Sequence, residues 1–90
     1  MRLMPKFYLL WDEWNLNHIA KHGVSRVEVE TALKDEKLVL WKHRGRYVVI
    51  ASAHGRILLI VLEKIRDFYY VITARDATDV EKKIYRRGKK

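Results

Sequence analysis

Residues 38–75 read LVLWKHRGRYVVIASAHGRILLIVLEKIRDFYYVITAR, and this stretch decides the fold. Segments 38–42, 46–53, 56–64 and 68–74 are rich in β-branched and aromatic residues, which suit a pleated, half-buried backbone. Arg44-Gly45, His54-Gly55 and Arg66-Asp67 punctuate them as turn signals. Connections this short force neighbouring strands to run antiparallel, so an antiparallel meander is expected. The run from Ile57 to Leu62 does not alternate, which predicts a strand covered on both faces.

Helical signals flank the strands. Residues 6–10 are short and apolar and read as a first strand. Asp12 is a helix N-cap, and Gly23 is the left-handed residue expected just past a helix that runs to about His22. Ser25 and Glu28 form a capping box for a second helix over about 26–34. Val24 and Val29 staple its start, and Val29, Ala32 and Leu33 are its buried stripe. Thr78 and Glu81 cap a last helix carrying Val80, Ile84 and Tyr85. The expected order is β-α-α-β-β-β-β-α. This is an α+β domain, with two N-terminal helices and a C-terminal helix packed on a 4–5-stranded antiparallel sheet.

Ninety residues make one domain over 1–90, just large enough to hold a core without staples. The absence of cysteine excludes disulfides and thiolate metal sites. The longest apolar run is far short of the ~20 residues that span a bilayer. Met1 to Lys6 carries charge without the apolar stretch of a signal peptide, so a soluble, cytoplasmic protein without membrane contact is expected. The net charge is +8, and Lys82, Lys83, Arg86, Arg87, Lys89 and Lys90 crowd the C-terminus around a basic tail at about 86–90. Such a tail attracts polyanions, or serves only solubility.

On the first helix, Leu16, Ile19 and Ala20 are expected to face the sheet. Trp14, His18 and Lys21 form a separate stripe. Indole, imidazole and ammonium on one face suit single-stranded RNA, whose bases stack on rings and whose phosphates meet cations. The alternative is that Trp14 covers the core edge while Lys21 and His22 complement the helix dipole. His18 and His22 also have the spacing of a helical zinc pair, but no carboxylate follows at a ligand position. No metal and no cofactor are therefore expected. Arg75 leaves the last strand just before the N-cap Thr78. That placement suits a phosphate site or, equally, an ion pair with Asp12 or Glu13. If the strand alternates, Arg75 shares a face with Thr73, Val71 and Tyr69. Arg46, Arg56 and His54 at hairpin ends are candidates for a basic rim. No Ser-His-Asp order, phosphate loop or paired-carboxylate motif is present. Cleavage of RNA would then run without metal. An imidazole or carboxylate takes the 2′-OH proton, cations hold the pentavalent phosphate, and a His or Tyr protonates the departing oxygen. His22, His18, Lys21, Arg75 and Tyr85 supply these groups.

Trp11-Asp12 with Asn15, then Lys21-His22-Gly23-Val24-Ser25, an Arg-rich hairpin, and Ile72-Thr73-Ala74-Arg75-Asp76-Ala77-Thr78 with Glu81 and Tyr85 together resemble the BrnT family of toxins. The resemblance runs from about Trp11 to Tyr85. It implies a RelE-like fold and a metal-independent endoribonuclease that arrests translation. It also implies a BrnA-like antitoxin with a ribbon-helix-helix domain, through which alone the pair would bind operator DNA. The motifs carry Lys21, His22 and Arg75 over as residues for RNA, with Tyr85, and Gly23, Ala77 and Thr78 as structural positions beside Glu81. Trp14-Asn15-Leu16-Asn17-His18 departs from the lysine- and alanine-rich stretch of many members. Two further readings stay open: a non-catalytic RNA- or protein-binding module, and a metal-dependent hydrolase using His18 and His22.

Overall fold

The structure is a computed structural model and describes residues 7–88. Readings that rest on Met1 to Lys6 and on Lys89 and Lys90 lie outside the described residues. The elements are β1 (Leu9–Leu10), α1 (Glu13–Ala20), α2 (Arg26–Ala32), β2 (Val39–His43), β3 (Arg46–Ala53), β4 (Arg56–Ile65), β5 (Phe68–Asp76) and α3 (Asp79–Arg87). Element order and type follow the expectation, and the β2–β5 segments pair as an antiparallel meander. Two of its turns, Arg44-Gly45 and His54-Gly55, have both residues at positive φ. This is the turn whose twist matches that of a two-residue hairpin. No helix among the described residues is long and apolar enough to cross a membrane.

The expected all-antiparallel sheet is corrected to a mixed one. The strand order is β1-β5-β4-β3-β2, and β1 runs parallel to β5. The cause lies in α1. The Tyr70 hydroxyl donates to the Asp12 carboxylate, and further along β5 Thr73 meets His18. Strand and helix therefore run beside β5 in one direction before the chain crosses to the far edge.

Because strand side chains alternate, the sheet has two distinct faces. Val49, Ala51, Ala53, Leu58, Ile60, Leu62, Val71 and Ala74 form a core with Ile19, Val24, Val29, Ala32 and Leu33 of the α1–α2 layer. On the other face Val39, Ile50 and Leu59 are buried where α3 packs against β3. The central strand β4 is thus apolar on both sides, as its run predicts. A bulge interrupts β5. Leu62 pairs with Val71 but Val61 pairs with Thr73, leaving Ile72 extra. This corrects the shared face expected for Arg75, Thr73, Val71 and Tyr69. Val71 and Tyr69 stay with the α1–α2 core, while Thr73 and Arg75 turn to the other face beside Val61 and Leu59. Bulges re-aim side chains in this way and concentrate near functional sites.

All three helices open on capping boxes: Asp12 with Asn15, Ser25 with Glu28, Thr78 with Glu81. Gly23 takes φ +72° just past α1, a conformation that costs a residue without Cβ nothing. The α1 wheel needs a correction: Asn15 and Ile19 are fully buried, Leu16 is half-buried and Ala20 is exposed. Asn15 is inside because its polar atoms are all occupied. Its Oδ1 accepts from the Asp12 N–H (2.9 Å), and its Nδ2 donates to the Leu10 carbonyl (3.0 Å). Asn15→Ala would strand both groups, so an unfolding free energy lower by about 1–2 kcal/mol is expected in urea titration.

Candidate functional site

The helix α3 covers one end of its sheet face and leaves the other end open. Register places Trp41, Val48, Val61 and Thr73 in one row across four strands. At the β5 edge the row continues into α1, where His18 Nε2 lies 3.2 Å from Thr73 Oγ1. The Trp14 ring stacks on His18 at 4.9 Å, nearly parallel at 6°. Trp41 and Trp14, 38% and 57% exposed, stand at the two ends. The next row, toward the hairpin tips, holds His43 opposite Arg46 and Glu63 opposite Tyr70. Between the rows an open groove of about 590 Å³ is lined by His43, Arg44, Gly45, Arg46, Val48, Val61 and Glu63.

Arg75 stands where the open face meets α3. Its partner is neither Asp12 nor Glu13 but Glu81, which grips the guanidinium with both oxygens (2.9 and 3.0 Å). Nη1 also donates to the Asp76 carbonyl. Glu81 is the capping residue of α3 and accepts from the Thr78 N–H, so the helix start itself orients the fork. The Glu81 carboxylate raises the Arg75 pKa further. In return, Arg75 first and the Thr78 N–H second hold Glu81 below the usual carboxylate range. A guanidinium has five N–H donors; these contacts use three, and the other two remain for an anion.

Along α1, His18 and His22 meet edge to face, with ring centroids 5.4 Å apart. Among the described residues no group of three His, Cys, Asp or Glu side chains is disposed to hold a metal ion. Lys21 is exposed at the C-cap, on the same helix as the stacked pair. Thus Trp14, His18, His22 and Arg75 border one face, joined by Thr73.

The remaining sequence candidates lie elsewhere or have other partners. Arg56 Nε donates to Asp76 (2.6 Å), while Nη1 donates to Glu28 and to the Gly23 carbonyl (both 2.9 Å). It ties the α1–α2 corner to the sheet. The Tyr85 hydroxyl donates to Asp35 Oδ2 at 2.6 Å. Burial and that carboxylate push its pKa up to about 12, so it keeps its proton near neutral pH and pins α3 to the α2–β2 connection. His54 occupies the β3–β4 turn, at the opposite end of the sheet from the groove, whereas Arg46 lines the groove. Thr73, Trp41, Glu63 and Tyr70 were not singled out from the sequence. Trp41 is visible there only as a strand aromatic, and Thr73 is hidden by the bulge.

Comparison with known families gives one match: a family model described as "Ribonuclease toxin, BrnT, of type II toxin-antitoxin system" covers residues 11–81. Arg75, His18 and His22 lie inside the matched stretch, and Tyr85 lies beyond it. None of the curated proteins and none of the solved structures compared matches the chain.

Proposed function

This chain belongs to the family of BrnT ribonuclease toxins of type II toxin–antitoxin systems, and from that premise we propose that it is a metal-independent endoribonuclease acting on single-stranded RNA in the cytoplasm. Its cutting site is the open sheet face between α1 and α3. Cleavage of RNA inhibits translation, and a ribbon-helix-helix antitoxin neutralises it and carries the pair to operator DNA. The observation that supports the site most directly is the His18–Thr73 contact at 3.2 Å. It puts an imidazole on the same sheet face as the Arg75 fork, two residues along the strand.

His18, oriented by Thr73, takes the proton of a ribose 2′-OH. The 2′-oxygen then bonds to the adjacent phosphorus, and the bond from phosphorus to the 5′-oxygen breaks. His22, in its protonated form, returns a proton to that leaving oxygen. The two free Arg75 donors stabilise the charge that builds on the phosphoryl oxygens. Trp14 and Lys21 hold the strand by stacking and by phosphate contact, and Arg46 extends the cationic surface across the sheet.

The test is a labelled single-stranded RNA incubated with the protein, with and without EDTA. Cutting is expected to survive the chelator, leave a 2′,3′-cyclic phosphate, and stop at a site where the 2′-OH is replaced by hydrogen. Loss of cutting in EDTA would instead point to the metal-dependent reading through His18 and His22. Salt-sensitive binding without cutting would point to the binding module.

A further inference from the structure

We propose that the groove beside the cutting row is a base-recognition subsite, that it selects guanine, and that Glu63 is the residue that selects. The inference rests on the reading of this face as an RNA site and adds which base the face prefers. Its starting point is the acid in the lining of that groove. In a chain of net charge +8, the ion pairs among the described residues are Arg26–Glu30, Arg56–Glu28, Arg56–Asp76 and Arg75–Glu81. Glu63 is in none of them. Its strand neighbours do not claim it either. Tyr70, directly opposite on β5, gives its hydroxyl to Asp12 at 3.0 Å. On β3, Arg46 lies one position beyond the Tyr47–Leu62 pair, beside Glu63, without closing on it. The carboxylate therefore stands exposed at the wall of a groove floored by Val48 and Val61 and rimmed by His43, Arg44 and Arg46.

This combination matches a nucleobase: two valines for its flat face, cations for its phosphate, and one acceptor-only group for its edge. Trp41 pairs with Val48 in the neighbouring strand and supplies an indole beside that floor for stacking. The sign of the edge group decides the base. Guanine presents two adjacent donors, N1–H and the N2 amine, which a carboxylate accepts together. Adenine and cytosine set a lone pair beside their amine, which repels the carboxylate. Uracil has a single N–H flanked by two carbonyls. The subsite also sits within reach of the cut. Val61 belongs both to the groove and to the Thr73 row. Glu63 is two residues further along β4, placing it ~8 Å from Thr73 by strand spacing and rise, about one nucleotide away.

The test uses binding alone, so that it does not depend on cleavage. Fluorescently labelled, non-cleavable 2′-O-methyl oligouridylates carrying a single central guanine, inosine or adenine are titrated against wild type and Glu63→Gln. Wild type is expected to prefer guanine over adenine about tenfold or more, with inosine, which lacks the N2 amine, between them. Glu63→Gln is expected to erase the preference while binding the adenine oligomer at least as well as wild type. Circular dichroism checks that this exposed substitution leaves the fold unchanged. If the carboxylate acts only as a surface charge, the variant tightens all three oligomers equally and keeps their ratio, which overturns the proposal. Equal binding of guanine and adenine by wild type overturns it too, and if RNA is still cut, the ribonuclease reading stands without it. If wild type binds none of the oligomers, the RNA face and the subsite fall together.

Discussion

Arg75→Ala is expected to slow RNA cleavage about 100-fold or more, the size of effect seen when a preorganised oxyanion donor is removed. The reason is geometric. Glu81 holds the fork by both oxygens and is itself fixed by the Thr78 N–H at the start of α3. The two uncommitted donors are thereby set before substrate arrives, with no reorganisation left to the reaction step. Thr73 and Arg75, two apart on the strand, share a face, which the β5 bulge turns away from the α1–α2 core, so the fork and His18 address the same region. Removing the guanidinium leaves Glu81 its backbone partner, and the pair is partly exposed, at 36% and 20% of the two side chains. The stability loss should therefore stay at about 1 kcal/mol or less, too small to unfold the domain. Single-turnover cleavage and thermal melting on the same preparation separate the two effects. Arg75→Lys should recover the charge without the fork and remain well below wild type. Unchanged cleavage by a folded Arg75→Ala protein would reduce Arg75 to a strut between β5 and α3.

Local chemistry was legible and distant pairing was not. Two of the three capping boxes and all three hairpin turns could be read because each is spelled within four residues. The stripe Val29, Ala32 and Leu33 likewise follows from helical spacing alone. The β5 bulge is spelled by nothing in Ile72-Thr73; it exists because Val71 and Ala74 must both stay in the core. It reversed the faces assigned along that strand. Asn15 looked like one more polar group on a surface helix, but the Leu10 carbonyl it satisfies is supplied by the preceding strand. The parallel pairing of β1 was hidden because two helices, not a turn, separate that strand from the next. For the candidate site, the Trp14–His18 stack follows from an i, i+4 spacing. Trp41 and Glu63 reach the same face only through strand register, and a sequence without pairing partners does not carry it. Arg56 is the clearest example of the gap. At a hairpin end it resembled part of a cationic rim, yet its three partners lie 20, 28 and 33 residues away.

Those three partners make Arg56→Ala a further sizeable expected loss of stability, about 1–2 kcal/mol near neutral pH. The guanidinium is 28% exposed and joins the α1–α2 corner, α2 and β5 in one knot. Its removal takes from the half-buried Glu28 its charged partner, though the Ser25 N–H stays, and from the exposed Gly23 carbonyl a donor that water can replace. Asp76 is 64% exposed and adds little, since water screens it. The loss should depend on pH with a definite sign. Asp76 is held below its ordinary value by Arg56 first, and Glu28 by the Ser25 N–H first and then by Arg56. A carboxylate with a depressed folded pKa contributes stability that is present above its unfolded value, about 4, and is lost as pH falls through the folded one. The gap between wild type and Arg56→Ala in urea unfolding should thus be full at pH 7 and narrow toward pH 3. Glu28 keeps part of its depression in the variant through Ser25. A gap of the same size at both pH values would mean that Arg56 acts by packing its stem rather than by pairing its charge. Cleavage per folded molecule should stay close to wild type, because Arg56 lies at the other end of the sheet from the groove and touches none of its lining. A fall in cleavage beyond the unfolded fraction would move the RNA path to this end of the sheet, toward Lys82 and Arg86, which line a second pocket with Arg56.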